Sequence, residues 1–120
     1  MRIIPRTERR AQRRTTRATL RARTRTHRAQ TRINRHGHGT LATHCIAAGL
    51  PTREAATVAA SLRRNATKAK VTGTAGRAHA GRHMRDCRRY TPAEVARIAV
   101  VYRPRKPAYR AAAAFLVVAA

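Results

Sequence analysis

The spacing of apolar residues between positions 52 and 69 predicts the clearest helix in the chain. At about 100° per residue, one side of this segment is apolar: Ala55, Val58, Ala59, Leu62, Ala66 and Ala69. The opposite side is polar or basic: Arg53, Thr57, Ser61, Arg64 and Lys68. Thr52 is suited to cap the helix, and Glu54 places a carboxylate in its first turn. We expect the apolar side to face a core and the basic side to face solvent or a ligand.

A shorter helix is predicted just before it, in "TLATHCIAAG". Thr40 is a suitable N-cap, and Leu41, Cys45 and Ala48 recur at helical spacing. Gly49 is expected to end this helix, as glycine commonly does.

The pattern changes after Lys70. "VTGTAGRAHAGRH" is rich in glycine, and with "MRDCRRY" it predicts two short strands joined by a basic loop. "YTPAEVARIAVVY" returns to helical spacing, with Thr91 and Glu94 forming a capping box. After the prolines of "RPRKP", the segment "AYRAAAAFLVV" predicts a last helix.

The N-terminal 35 residues contain 13 arginines and one acid, Glu8, but few large apolar side chains. Such a segment is expected to be disordered when free, although its alanines recur at helical spacing and can support a helix on a partner. We expect a basic arm and a Gly/His linker at 1–39, a folded domain at 40–103 and an apolar helix at 104–120. The predicted fold class is mostly α with a small β-hairpin.

The charge indicates the class of partner. Lys plus Arg number 28 against four acids, a net charge of +24, and 25 of the cations are arginine. This excess favours a polyanion, and arginine binds phosphate and guanine with two hydrogen bonds. Four aromatic residues are too few for the stacking platform typical of single-strand binders. We therefore expect duplex DNA as the partner, with RNA as an alternative.

Two stretches, "CIAAGLPTREAATVAASLRRNATKAKV" and "GRAHAGRHMRDCRRYT", follow the order helix, glycine turn, helix, then two strands. In this order the chain resembles winged helix-turn-helix DNA-binding proteins. It also resembles small arginine-rich proteins of actinobacterial phages and mobile elements. The resemblance implies a winged helix-turn-helix-like domain, in which the helix opened by Thr52 lies in the major groove and the hairpin contacts adjacent DNA.

The candidate nucleic-acid-binding residues follow from this arrangement. On the helix they are Thr52, Arg53, Thr57, Ser61, Arg64 and Lys68. On the hairpin they are Arg77, Arg82, Arg85, Arg88 and Arg89. The predicted role is transcription regulation or an accessory function in a bacterial phage or mobile element. The alternatives are a non-specific nucleic-acid packaging protein and a ribosome-associated RNA-binding protein.

Other chemistry is less well supported by the sequence. His79, His83 and Cys87, with Cys45, have zinc-ligand character but no paired C-x-x-C, so isolated histidines remain the alternative to a zinc site. The four acids are scattered, so we expect no enzyme, catalytic residue or cofactor.

The longest apolar run has ten residues, and the N-terminus lacks a signal-peptide core. We expect a cytoplasmic, nucleoid-associated protein that binds no membrane, and a homodimer through the C-terminal helix stays open.

Overall fold

The computed structural model describes residues 1–120 and contains five helices and one two-stranded antiparallel sheet. The elements are α1 (Arg6–His36), α2 (Leu41–Ala47), α3 (Thr52–Lys68), β1 (Thr74–Ala80), β2 (His83–Arg89), α4 (Pro92–Val101) and α5 (Pro107–Val118). The prediction of a mostly α fold with a small β-hairpin is confirmed. No helix is both long enough and apolar enough to cross a membrane.

The expectation of a disordered N-terminal arm is wrong, because α1 is a continuous helix of 31 residues. Low burial was the reason for expecting disorder, but arginine, alanine and glutamine favour the helix without burial. Its last turns are also anchored: Ala29 and Ile33 pack against Ala47 of α2. The helix also takes in residues 34–36, which were expected to belong to the Gly/His linker, and it ends at Gly37 in the left-handed conformation.

The arginines of α1 are concentrated along one side of the helix. Ten of its twelve arginines lie within about one third of the helix circumference. We call them the arginine face: Arg6, Arg10, Arg13, Arg14, Arg17, Arg21, Arg25, Arg28, Arg32 and Arg35. All ten are exposed. The opposite half of the circumference carries only the other two arginines, Arg9 and Arg23, and includes the packed residues Ala29 and Ile33.

The turn between α2 and α3 forms as the sequence predicts. The Thr40 hydroxyl accepts a hydrogen bond from the Thr43 N–H at the start of α2. At its end, Gly49 has φ 98°, and the N–H groups of Gly49 and Leu50 donate to the carbonyls of Ile46 and Cys45. This pair of bonds is the Schellman arrangement that ends many helices.

The cap proposed for α3 is corrected by the structure. Pro51 occupies the N-cap position, Thr52 is the first helical residue, and no side chain caps the first turn. The fixed φ of proline is compatible with a chain entering a helix, but its side chain has no oxygen to accept a hydrogen bond from the first turn.

The core is formed by α2, α3, α4 and α5 together. The apolar side of α3 is buried as predicted, with Leu62 and Ala55 fully inaccessible. Val95 and Ile98 of α4 and Leu116 of α5 complete the same cluster. The predicted capping box of α4 is present, with Thr91 and Glu94 each bonded to the other's backbone N–H. The segment assigned to 104–120 therefore contributes to the main core.

The hairpin extends from this core, and most of its residues are exposed. β1 pairs with β2 from Thr74 opposite Arg89 to Ala80 opposite His83. Only two residues join the strands, because Gly81 has φ 67° and supplies the first position of a tight turn. The basic loop expected from the sequence is thus reduced to Gly81 and Arg82.

Candidate nucleic-acid interface

The exposed side of α3 carries most of the predicted helix contacts. Arg53 and Arg64 lie near the centre of this side, opposite Leu62, and both are exposed. Thr52, Thr57 and Lys68 are exposed as well. The first turn also presents backbone N–H groups that no side chain caps, which favours an anion there.

Ser61 differs from the other residues predicted on this side. It is half-buried, its hydroxyl donates to the Thr57 carbonyl at 3.4 Å, and it accepts from Nη2 of Arg64 at 3.1 Å. It also lies near Tyr102, whose hydroxyl pKa is raised mainly by partial burial and lowered in part by Ser61. Ser61 therefore positions the Arg64 guanidinium. The neighbouring exposed residues are better placed than Ser61 to contact a ligand directly.

The hairpin divides its cations between two faces. Residues opposite each other in an antiparallel pair share a face, and successive residues alternate. Arg77 and Arg88 lie on one face, whereas Arg85 and Arg89 lie on the other. Arg82 is exposed at the tip. The hairpin can therefore present arginine to a ligand on either side.

Two of these arginines donate hydrogen bonds to backbone carbonyls of the protein. Arg89 is half-buried, packs over Gly76 and donates from Nη2 to the Arg77 carbonyl at 3.1 Å. Arg88 donates to the Thr72 carbonyl at 3.3 Å but stays exposed. Arg89 thus stabilises the base of the hairpin, and the exposed hairpin arginines are Arg77, Arg82, Arg85 and Arg88.

An open cleft of about 1290 Å³ separates the C-terminal half of α3 from the hairpin. Its cations come from both elements: Arg63, Lys70, Arg85 and Arg88. Its only carboxylate, Asp86, is almost fully exposed and lies 3.6 Å from Nε of Arg77. The cleft is therefore a concave surface with a strong excess of positive charge.

The sequence pattern did not identify the part of this surface formed by Arg63 and Thr67 of α3 and by Lys70, two residues after its end. The apolar stripe identified only the buried side and its opposite, whereas Arg63 and Thr67 lie between the two. Lys70 follows the C-cap residue Ala69, so it lies outside the helical periodicity of α3. It is the only non-glycine residue of the chain with positive φ, at 57°. The Lys70 N–H donates to the Thr67 carbonyl and the Val71 N–H to the Ala66 carbonyl. Lys70 therefore occupies the left-handed position that ends α3, as Gly49 does for α2.

The base of the hairpin is tied to the segment between α1 and α2. Gly39 and Tyr90 exchange two backbone hydrogen bonds, of 3.0 and 2.8 Å. Buried His44 adds a third link through its Nε2, 2.7 Å from the Tyr90 carbonyl. These contacts, from α2 and from Gly39 just before it, fix the orientation of the hairpin.

The residues considered for zinc are not brought together. His79 lies on the opposite face of the hairpin from His83 and Cys87. Cys45 is fully buried in the core, where burial raises the pKa of its thiol to about 12. No group of three or more His, Cys, Asp or Glu side chains forms a metal-binding cluster.

Comparisons with protein families, with curated proteins and with solved structures find no match for this chain.

Proposed function

We propose that the protein binds duplex DNA through the exposed side of α3 and the β1–β2 hairpin, in the manner of a winged helix-turn-helix domain. The observation that carries the proposal is the cationic cleft between these two elements. Four cations line it, and the single carboxylate there is solvated and close to Arg77. Such a concave basic surface is suited to phosphates on either side of a groove.

The exposed side of α3 is also suited to contacting DNA bases. The major groove of B-DNA admits an α-helix, and arginine binds guanine through two hydrogen bonds. Arg53 and Arg64 lie three turns apart on the solvent side of α3, with the smaller Thr57 between them. In this proposal α3 enters the major groove, and the exposed hairpin arginines contact phosphates or the adjacent minor groove.

The proposed biological role is that of a regulator or accessory factor of a bacterial phage or mobile element. Support for it comes from the arrangement of two helices and a hairpin and from the arginine-rich composition. A second candidate, non-specific packaging of nucleic acid, is favoured by α1, which has twelve arginines against four cations on α3. The two candidates differ in selectivity, because packaging needs only phosphate contacts.

Binding measurements with matched oligonucleotides test the proposal. Fluorescence anisotropy should show tight binding to a mixed-sequence DNA duplex and weaker binding to a single strand of the same sequence. The affinity should fall steeply with salt, with a log–log slope of about 0.9 per neutralised phosphate. A response that is flat in salt, or a preference for duplex RNA over duplex DNA, contradicts the proposal. Selection of bound sequences in excess competitor DNA then separates a regulator from a packaging protein.

A pair of double variants tests the location of the site. Arg64→Ala with Arg85→Ala removes one cation from each element, whereas Arg103→Ala with Arg105→Ala removes the same charge elsewhere. The first pair should weaken duplex binding markedly and the second only slightly. Equal losses would mean that net charge alone binds the DNA.

A further inference from the structure

We propose that the arginine face of α1 is a second nucleic-acid-binding surface, which lies along the phosphate backbone of the duplex beside the segment bound by α3. The inference rests on the proposed function, since it takes the duplex bound by α3 and the hairpin as the partner of α1 as well. In this proposal α1 binds as an ordered helix that presents its arginines on one face. A disordered arm would attract DNA only through its net charge.

The packing of α1 determines which way its arginines face. Ala29 and Ile33 are buried against Ala47, and Gln30 donates from Nε2 to the Ala47 carbonyl at 3.1 Å. These contacts occupy the side of α1 opposite the arginine face. The arginine face therefore points away from the core along its whole length.

The cations of α1 have almost no partner within the protein. Its one acid, Glu8, lies 3.6 Å from Arg2, which is outside the helix. The only other ion pair of the chain joins Arg77 and Asp86 on the hairpin. Seven pairs of arginines also stand four residues apart on α1, and like charges at this spacing destabilise a helix. A polyanion along this face relieves the repulsion.

The dimensions of α1 match a duplex. A helix of 31 residues is about 46 Å long, which exceeds the rise of about 34 Å in one turn of DNA. Arginines are distributed from Arg6 to Arg35, so phosphates beyond a single groove crossing are within reach. A membrane surface fits less well, because the side opposite the arginines is mainly threonine, alanine and glutamine, and its one large apolar residue, Ile33, is buried against α2.

Substitutions in the full-length protein test the inference. The variant Arg10→Gln, Arg14→Gln, Arg21→Gln removes three charges from the middle of the arginine face, where no side chain packs on the core. On a duplex of about 30 bp, its salt slope should be lower than that of the wild type by about 2.7. On a duplex of about 12 bp, little longer than one helical turn, the difference should shrink because the flanking phosphates are missing.

The control variant is Arg103→Gln, Arg105→Gln, Lys106→Gln, which removes the same charge from the exposed α4–α5 connection. Its salt slope should stay close to that of the wild type on both duplexes. An equal loss in the control, or no loss in the arginine-face variant, overturns the inference. Tighter binding of the wild type to anionic phospholipid vesicles than to the longer duplex at equal salt also overturns it.

The outcomes separate this inference from the proposed function. If the arginine-face variant loses affinity while Arg64→Ala with Arg85→Ala binds like the wild type, the α3 site fails and the α1 surface stands. If the opposite pattern is found, the proposed function stands and the α1 surface fails. If the wild type binds no duplex at low salt, both fail.

Discussion

The imidazole Nε2 of His44 lies 2.7 Å from the carbonyl oxygen of Tyr90, in a site where His44 is only 3% exposed. Because a carbonyl only accepts hydrogen bonds, Nε2 must carry the proton and donate. The bond connects α2 to the junction between β2 and α4. It therefore holds the base of the hairpin on the core, and its protonation state affects the stability of the whole domain.

Stability should fall as the pH is lowered below about 6.5. Burial lowers the pKa of His44 from 6.5 in the folded protein and outweighs the opposing effect of the Tyr90 and Gly39 carbonyls. At a pH between the lowered pKa of folded His44 and the ordinary pKa of 6.5, the unfolded chain binds a proton on this residue and the folded protein does not. The stability that His44 contributes above pH 6.5 is therefore lost as the pH falls through this range. The loss from this group is at most about 1.4 kcal/mol per pH unit. Urea unfolding of the wild type and of His44→Gln measures it, with exposed His79→Gln as the control. Retention of the full slope in His44→Gln would assign the effect to another group.

The two sides of α3 should respond to substitution in different ways. Leu62→Ala removes a fully buried side chain and should cost about 2–5 kcal/mol of the free energy of unfolding. Arg64→Ala should leave the melting temperature nearly unchanged, because Arg64 is exposed and bonds only to Ser61. It should weaken duplex binding by about 1–3 kcal/mol if the guanidinium contacts a guanine. Calorimetry and anisotropy on both variants test this, and early melting of Arg64→Ala would reverse the assignment of the two sides.

Replacing Lys70 by glycine should raise the stability of the fold and lower the affinity for DNA. The Lys70 φ of 57° is unfavourable for a residue with a Cβ, so Lys70→Gly should raise the stability by about 1 kcal/mol. The same change removes a cation from the cleft, which should weaken DNA binding and lower the salt slope by about 0.9. Lys70→Ala is the matched control, because it removes the charge and keeps the strain. If Lys70→Gly gains no stability relative to Lys70→Ala, the strain is absent.

Gly73 and Gly81 should differ in their tolerance of alanine, although both have positive φ. A Cβ at Gly73 would lie 2.8 Å from Cε1 of Tyr90 and 2.9 Å from the Arg89 carbonyl oxygen. At Gly81 nothing lies within 4 Å of that position. We expect Gly81→Ala to cost about 1 kcal/mol from the backbone alone. Gly73→Ala should cost about 1–3 kcal/mol more, because backbone and ring must move. Thermal unfolding of the two variants compares them directly, and equal losses would show that Tyr90 does not pack against Gly73.

Much of the fold was accessible from local sequence patterns. The stripe on α3, the glycine that ends α2 and the capping box of α4 depend on contacts within a few residues. The arm was mispredicted because its few large apolar residues bury too little area to order a chain by burial alone. The helix is supported instead by the propensity of its residues and by the packing of Ala29 and Ile33 on α2.

By itself, the sequence determined the net charge, the types of elements and the buried side of α3, because composition and periodicity are properties of neighbouring residues. Only the tertiary structure decided which flank of α3 faces the hairpin and which arginines are free. Arg63 and Lys70 line the cleft because the hairpin lies beside them, and Arg89 is held by a hydrogen bond to the Arg77 carbonyl. The position of the hairpin depends on the bond between His44 and Tyr90, which are 46 residues apart. No periodic pattern encodes a pairing at that distance, because it forms only when the core brings the two segments together.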